Sequence, residues 1–97
     1  MNSLIIEGEI KAVSALEKKE NGTSVCTFYF TASNNGYDYN FEVESYGETA
    51  DQVFKSGEGR IARIVGRLVQ KKWTDDTGKK HSKVVIVAEY VELKNEK

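Results

Sequence analysis

The chain has 97 residues, 39% of them hydrophobic and 30% charged, and a formal net charge of −1. That length sets one domain with a modest core, and the proportions are those of an ordinary soluble globular chain. A single cysteine excludes an intramolecular disulfide and suits a reducing cytoplasm, while charge as early as Glu7 and the lack of a long apolar run give the expectation of no signal peptide and no membrane-spanning helix.

Leu4 to Ala15 alternates, with Leu4, Ile6, Gly8, Ile10 and Ala12 on one face and Glu7, Glu9 and Lys11 on the other, which predicts a half-buried strand. Glu17 to Gly22 is polar and ends in Asn-Gly, a turn signal. Val25 to Ser33 predicts a second strand, with Cys26, Phe28, Phe30 and Ala32 inward and Thr27, Tyr29 and Thr31 outward. Asn34-Asn35-Gly36 predicts a tight hairpin. The third strand, Asp38 to Tyr46, puts Phe41, Val43 and Ser45 on one face and Asn40, Glu42, Glu44 and Tyr46 on the other.

Gly47 breaks that pattern. Thr49 to Gln52 fits a capping box with Thr49 as N-cap. The short helix it starts has Ala50, Val53 and Phe54 as its apolar stripe and ends by Gly57. Arg60 to Trp73 predicts a long fourth strand. Ala62, Ile64, Gly66 and Leu68 form one face, and Ile61, Arg63, Val65, Arg67 and Val69 the other. Gly66 in mid-strand predicts a bend or bulge. Asp75 to Lys80 is a loop, and the valine-rich run from Ser82 to Leu93 is the fifth strand. Three strands, a short helix and two more strands give an all-β chain with the layout of the OB-fold, a five-stranded Greek-key barrel. The expectation is a single such domain over residues 1–97 with no C-terminal tail.

Charge is unevenly placed. Residues 55 to 83 hold nine Lys/Arg against three acids, a net of +6, whereas the rest holds five against twelve, a net of −7. The basic ribbon also carries the only tryptophan, Trp73, and the only histidine, His81. Cations beside a ring suit a polyanion with stackable bases, which is single-stranded nucleic acid. The same ribbon also suits a solvated hairpin whose lysines block edge-to-edge aggregation.

The segments L-I-I-E-G, F-Y-F-T-A-S, F-E-V-E-S-Y-G-E-T-A-D, G-R-L-V-Q-K-K-W-T-D-D-T-G-K-K and V-V-I-V-A-E-Y-V-E-L together resemble the single-stranded DNA-binding proteins of bacteria and phages. The resemblance implies an OB-fold, single-stranded DNA binding with little sequence preference, and oligomerisation, commonly as a tetramer. It places Trp73 and Tyr46 at base-stacking positions and Lys71 and Lys72 at basic positions beside the tryptophan. Asn40 stands where the family commonly has another stacking tryptophan, and Glu42 and Glu44 bring negative charge to the side expected to meet DNA. The loop at Asn34–Tyr37 is shorter than the family's, with Tyr37 or Tyr39 as a substitute ring. The glycine-rich tail and acidic tip by which the family recruits partners have no counterpart in these 97 residues, and the expectation is a tailless member.

The candidate DNA contacts are therefore Trp73, Tyr46 and Tyr37, with Arg63, Arg67, Lys71, Lys72, Lys79 and Lys80 for phosphates. The blander readings are a rim tryptophan covering a barrel end, a tyrosine packed on the helix, and solvated lysines. Outward Ile61, Val65 and Val69, with Phe41, form a candidate self-association patch for a dimer or tetramer. One Cys and one distant His make no zinc pattern, Gly57-Glu58-Gly59 lacks the context of a phosphate loop, and no nucleophile motif is present. The expectation is a non-enzymatic protein without metal or cofactor that acts in replication, recombination or repair. The alternative is a tailless interaction module, similar to the primosomal restart proteins, with weak DNA binding and a replication or restart partner.

Overall fold

Alternating apolar and polar side chains give six strands and a helix in this computed structural model, which describes residues 1–94. The last three residues of the predicted 1–97 domain lie outside the described residues. In chain order the elements are β1 (Leu4–Val13), β2 (Glu17–Lys18), β3 (Ser24–Asn34), β4 (Tyr37–Tyr46), α1 (Gly47–Ser56), β5 (Ile61–Thr74) and β6 (Lys80–Leu93). The sheet order is β1-β5-β6-β4-β3-β2, and β1 also pairs with β3, which closes the five long strands into an OB-fold barrel. β2 is a two-residue addition that pairs with Ser24 and Val25 at the edge of β3.

Two irregularities make the closure possible. The first is in β1, which pairs with β5 from Leu4 to Glu9 and with β3 from Glu9 to Val13. Its register shifts between Ile10 and Val13. That bulge turns Val13 onto the core and leaves Ala12 exposed, the reverse of what simple alternation predicts. The second is between Val65 and Gly66, where Val65 faces Tyr90 but Gly66 faces Ala88. The extra residue is Glu89 of β6, so the bulge expected at Gly66 lies on the opposite strand. Glycine is required because a Cβ there would run into the backbone carbonyl of Val87.

The barrel interior holds Ile10, Cys26, Phe28, Phe30, Val43, Ile64, Ile86 and Val91, capped by Ala50 and Val53 of α1. Phe28 and Phe30 are fully buried and meet edge to face, with centroids 6.4 Å apart. Burying each ring stabilises the fold by roughly 1.5–3 kcal/mol. Ser45 is buried too, and its hydroxyl donates to the Cys26 carbonyl at 2.8 Å.

Three local expectations change. The helix begins at Gly47, two residues before the predicted cap, because Gly47 at φ +66° turns the chain directly from strand into helix. Tyr46 is the N-cap and makes no side-chain cap bond. Phe54 is 50% exposed, so the helix buries only Ala50 and Val53. Leu68 lies on the inward face opposite buried Ile86 but is 47% exposed, because the β1 ladder that flanks β5 ends at Gly66.

Candidate nucleic-acid interface

β4 and β6 run parallel, with Val43 to Ser45 beside Ile86 to Ala88. Both strands begin at a hairpin tip, so the β3–β4 and β5–β6 hairpins point the same way. The first turns at Asn35-Gly36, both with left-handed φ of 55° and 83°, as a two-residue hairpin turn requires. The second runs past the core for several residue pairs, to Thr74 opposite Lys80.

Alternation gives the outer sheet face to Tyr29 of β3, to Glu42, Glu44 and Tyr46 of β4, to Arg67, Lys71 and Trp73 of β5, and to His81 and Lys83 of β6. Beneath these long side chains lie Val85 and Val87, 1% and 8% exposed yet outside the barrel core. β6 is therefore buried on both faces from Val85 to Ala88, whereas Val84 just before is 60% exposed.

Trp73 sits directly across from His81, and their rings stack with centroids 5.3 Å apart and planes 17° apart. The ammonium of Lys83 is 5.9 Å from the indole centroid, within cation–π reach. Trp73 remains 47% exposed. Asp75 anchors this end. Its Oδ1 accepts from the Thr77 hydroxyl at 2.6 Å and from the Thr77 and Lys79 amides at 2.9 Å. Its Oδ2 lies 2.7 Å from His81 Nε2. The Thr77 hydroxyl, then His81 and the amides, hold the Asp75 carboxyl down to about 2. A depression lined by Lys72, Trp73, Thr74, Lys80, His81 and Ser82 opens beside the ring.

Tyr46 lies at the other end of the face. From Trp73 to Arg67, which is level with Glu44, is six residues of strand, roughly 20 Å. The Tyr46 hydroxyl donates to Glu44 Oε1 at 2.8 Å, and Lys19 lies over its ring at 5.4 Å. Burial and the neighbouring Glu44 carboxylate push the Tyr46 phenol up. Burial alone pushes the Glu44 carboxyl up as well, but its bonds to Lys71 and Tyr46 outweigh burial and leave it lowered.

The sequence candidates separate in space. Trp73, Tyr46, Arg67 and Lys71 share the outer face. Lys72 points to the opposite side of the β5–β6 hairpin, opposite Ser82, and Lys80 lies on that side too. Lys79 is in the turn at the tip. Tyr37 falls on the other side of the β3–β4 hairpin from Tyr46, following the inward row through Phe41, and is 67% exposed. Arg63 lies ten residues of strand from Trp73, roughly 33 Å, between Glu7 at 2.7 Å and Glu92 at 3.7 Å. The self-association candidates separate likewise. Phe41 packs against the core, whereas Ile61, Val65 and Val69 face outward with Ile5 and Tyr90 near Val65. Alternation already offered Tyr29 as an outward residue, whereas Lys83 entered only as one charge of the basic ribbon. Lys19 carried no signal, because only the fold brings it to Tyr46.

Among the described residues, no group of three or more His, Cys, Asp or Glu is placed to hold a metal ion, and no helix is long and apolar enough to cross a membrane.

Fold and face together define an OB-fold barrel with an open sheet surface of aromatic rings and cations. Residues 1–94 match the model of the Single-strand binding protein family, and the chain belongs to that family. It is similar to the single-stranded DNA-binding protein of Aquifex aeolicus (strain VF5), with 31% identity over 105 residues that cover 98% of this chain and 71% of that protein.

Proposed function

We propose that this chain binds single-stranded DNA with little sequence preference, stacking bases on Trp73 and Tyr46 and holding phosphates with the lysines of the β5–β6 tip. Trp73 carries the reading. It is half exposed, on a hairpin whose Lys72, Lys79 and Lys80 make no ion pair among the described residues. Every base has a π-face, so a ring of this kind accepts any base. The lysines add a term that ignores sequence and responds to salt. Family membership and the name of the Aquifex relative support the same reading. The chain then works without catalysis, in the cytoplasm, on strands exposed in replication, recombination or repair. It self-associates as a dimer or tetramer through outward Ile61 and Val65; Val69, opposite Val85 between Arg67 and Lys71, belongs to the DNA face.

A second reading, a platform for a replication or restart protein with weak DNA binding, is favoured by Glu42 and Glu44, which stand between the two rings. One titration separates the readings. Oligo-dT is added while Trp73 fluorescence is followed at low and at high salt. Strong quenching with tight, salt-sensitive binding is the expected result. No quenching and no binding at low salt refutes the DNA reading and leaves the platform.

A further inference from the structure

The centre of the face, between Trp73 and Tyr46, is not an open cationic stripe. Lys83 Nζ donates to both carboxylate oxygens of Glu42, at 3.0 and 3.1 Å. Lys71 Nζ is 2.8 Å from Glu44 Oε2. Arg67 Nη1 is 2.8 Å from Glu89 Oε2. Each cation of this central stretch thus already holds a carboxylate. A carboxylate offers an ammonium the same anionic oxygens as a phosphate and accepts the same charge-assisted hydrogen bonds. The setting favours the resident acids. Glu44 is 8% exposed, it accepts a second bond from Tyr46, and Val85 and Val87 form an apolar floor below. Charges over such a floor attract more strongly than charges in open water.

We propose that Glu42 and Glu44 are affinity-setting residues that compete with DNA phosphates for Lys83 and Lys71. The proposal rests on the single-stranded DNA reading. A phosphate reaching either lysine must displace a carboxylate, which then stands beside the strand with its charge uncompensated. Phosphate contact is therefore confined to the tip lysines, the rings stack at the two ends, and the centre adds no net counterion release. The arrangement limits both the affinity and its dependence on salt.

The test is the double variant Glu42→Gln/Glu44→Gln, which keeps side-chain size and the acceptor for Tyr46 but removes both charges. Binding of labelled oligo-dT is measured by anisotropy across a salt series. Glu58→Gln, in the turn between α1 and β5 at the far end of β5 from Trp73, removes one charge and is the net-charge control for Glu42→Gln alone, which also removes one. The expected result is about tenfold tighter binding at low salt. The plot of log K against log salt should also steepen by about 1.4, roughly 0.7 for each lysine released. Glu58→Gln should leave both unchanged. Should burial of Glu44 keep the double variant from folding, Glu42→Gln alone should steepen the slope by about 0.7. A variant that binds no tighter than the unaltered chain, or a Glu58→Gln gain of equal size, overturns the proposal. If neither the unaltered chain nor the variants bind oligo-dT at low salt, the DNA reading itself has failed and this inference falls with it.

Discussion

Replacing Trp73 with alanine probes the base-stacking platform with little risk to the fold. The ring lies beyond the barrel, 47% exposed, and belongs to no part of the buried core. Its neighbours are His81, stacked at 5.3 Å, and Lys83, 5.9 Å from its centroid. Removing it deletes one stacked base, worth roughly 1–3 kcal/mol, or about a 5- to 150-fold loss of affinity. Lys83 contributes little to that loss because Glu42 also holds it. Tyr46 and Tyr29 stay in place, so binding should weaken and not vanish. Stacking releases no counterions, so the ratio of variant to unaltered affinity should be the same at low and high salt. Anisotropy of a labelled oligo-dT reads this without the lost fluorophore, and Trp73→Phe should restore most of the affinity. An alanine variant that binds as well as the unaltered chain, or a deficit that disappears at high salt, would refute stacking at this ring.

Two further outcomes follow from the hairpin and the barrel. In Gly66→Ala the new methyl meets the Val87 carbonyl group, its carbon 3.1 Å away, and the Ala88 Cα at 3.3 Å, all backbone. The expected destabilisation is about 1–3 kcal/mol, a fall in Tm of roughly 5–20 °C for a domain of this size, and an unchanged melting curve would contradict the bulge geometry. Asp75 has a folded pKa of about 2 against an ordinary 3.8; its contribution to the hairpin tip is therefore complete above the ordinary value and is lost as pH falls through the folded one. Trp73 emission should change across that window and lose the step in Asp75→Asn, and a flat acid titration of the unaltered chain would contradict the anchor.

The strands were legible because each obeys a period of two over a long run, and the turns because Asn35-Gly36 and Gly78 sit between such runs. What alternation cannot see is a bulge. One extra residue in β1 exchanged Ala12 for Val13 at the core, and one in β6 placed Glu89 beside Arg67. The helix start was misplaced for a different reason. A capping box at Thr49 is a local preference, and the left-handed turn at Gly47 lets the helix begin earlier, directly from the strand.

The candidate site was legible in its residue types and less so in its grouping. A charge count along the chain puts Arg63, Lys71 and Lys72 in one basic ribbon. In an extended strand those residues spread over roughly 30 Å, and neighbours such as Lys71 and Lys72 fall on opposite faces. The ion pairs that neutralise the centre were harder still. Glu42 meets Lys83 and Glu44 meets Lys71 because β4 lies parallel to β6. No hairpin joins those two strands, so no turn in the sequence sets their register; barrel closure does. The sequence thus exposed the acids on β4 and the cations on β5 and β6 separately. Only the Greek-key crossing makes them partners, and it turns an apparent basic stripe into two aromatic ends joined by a nearly neutral middle.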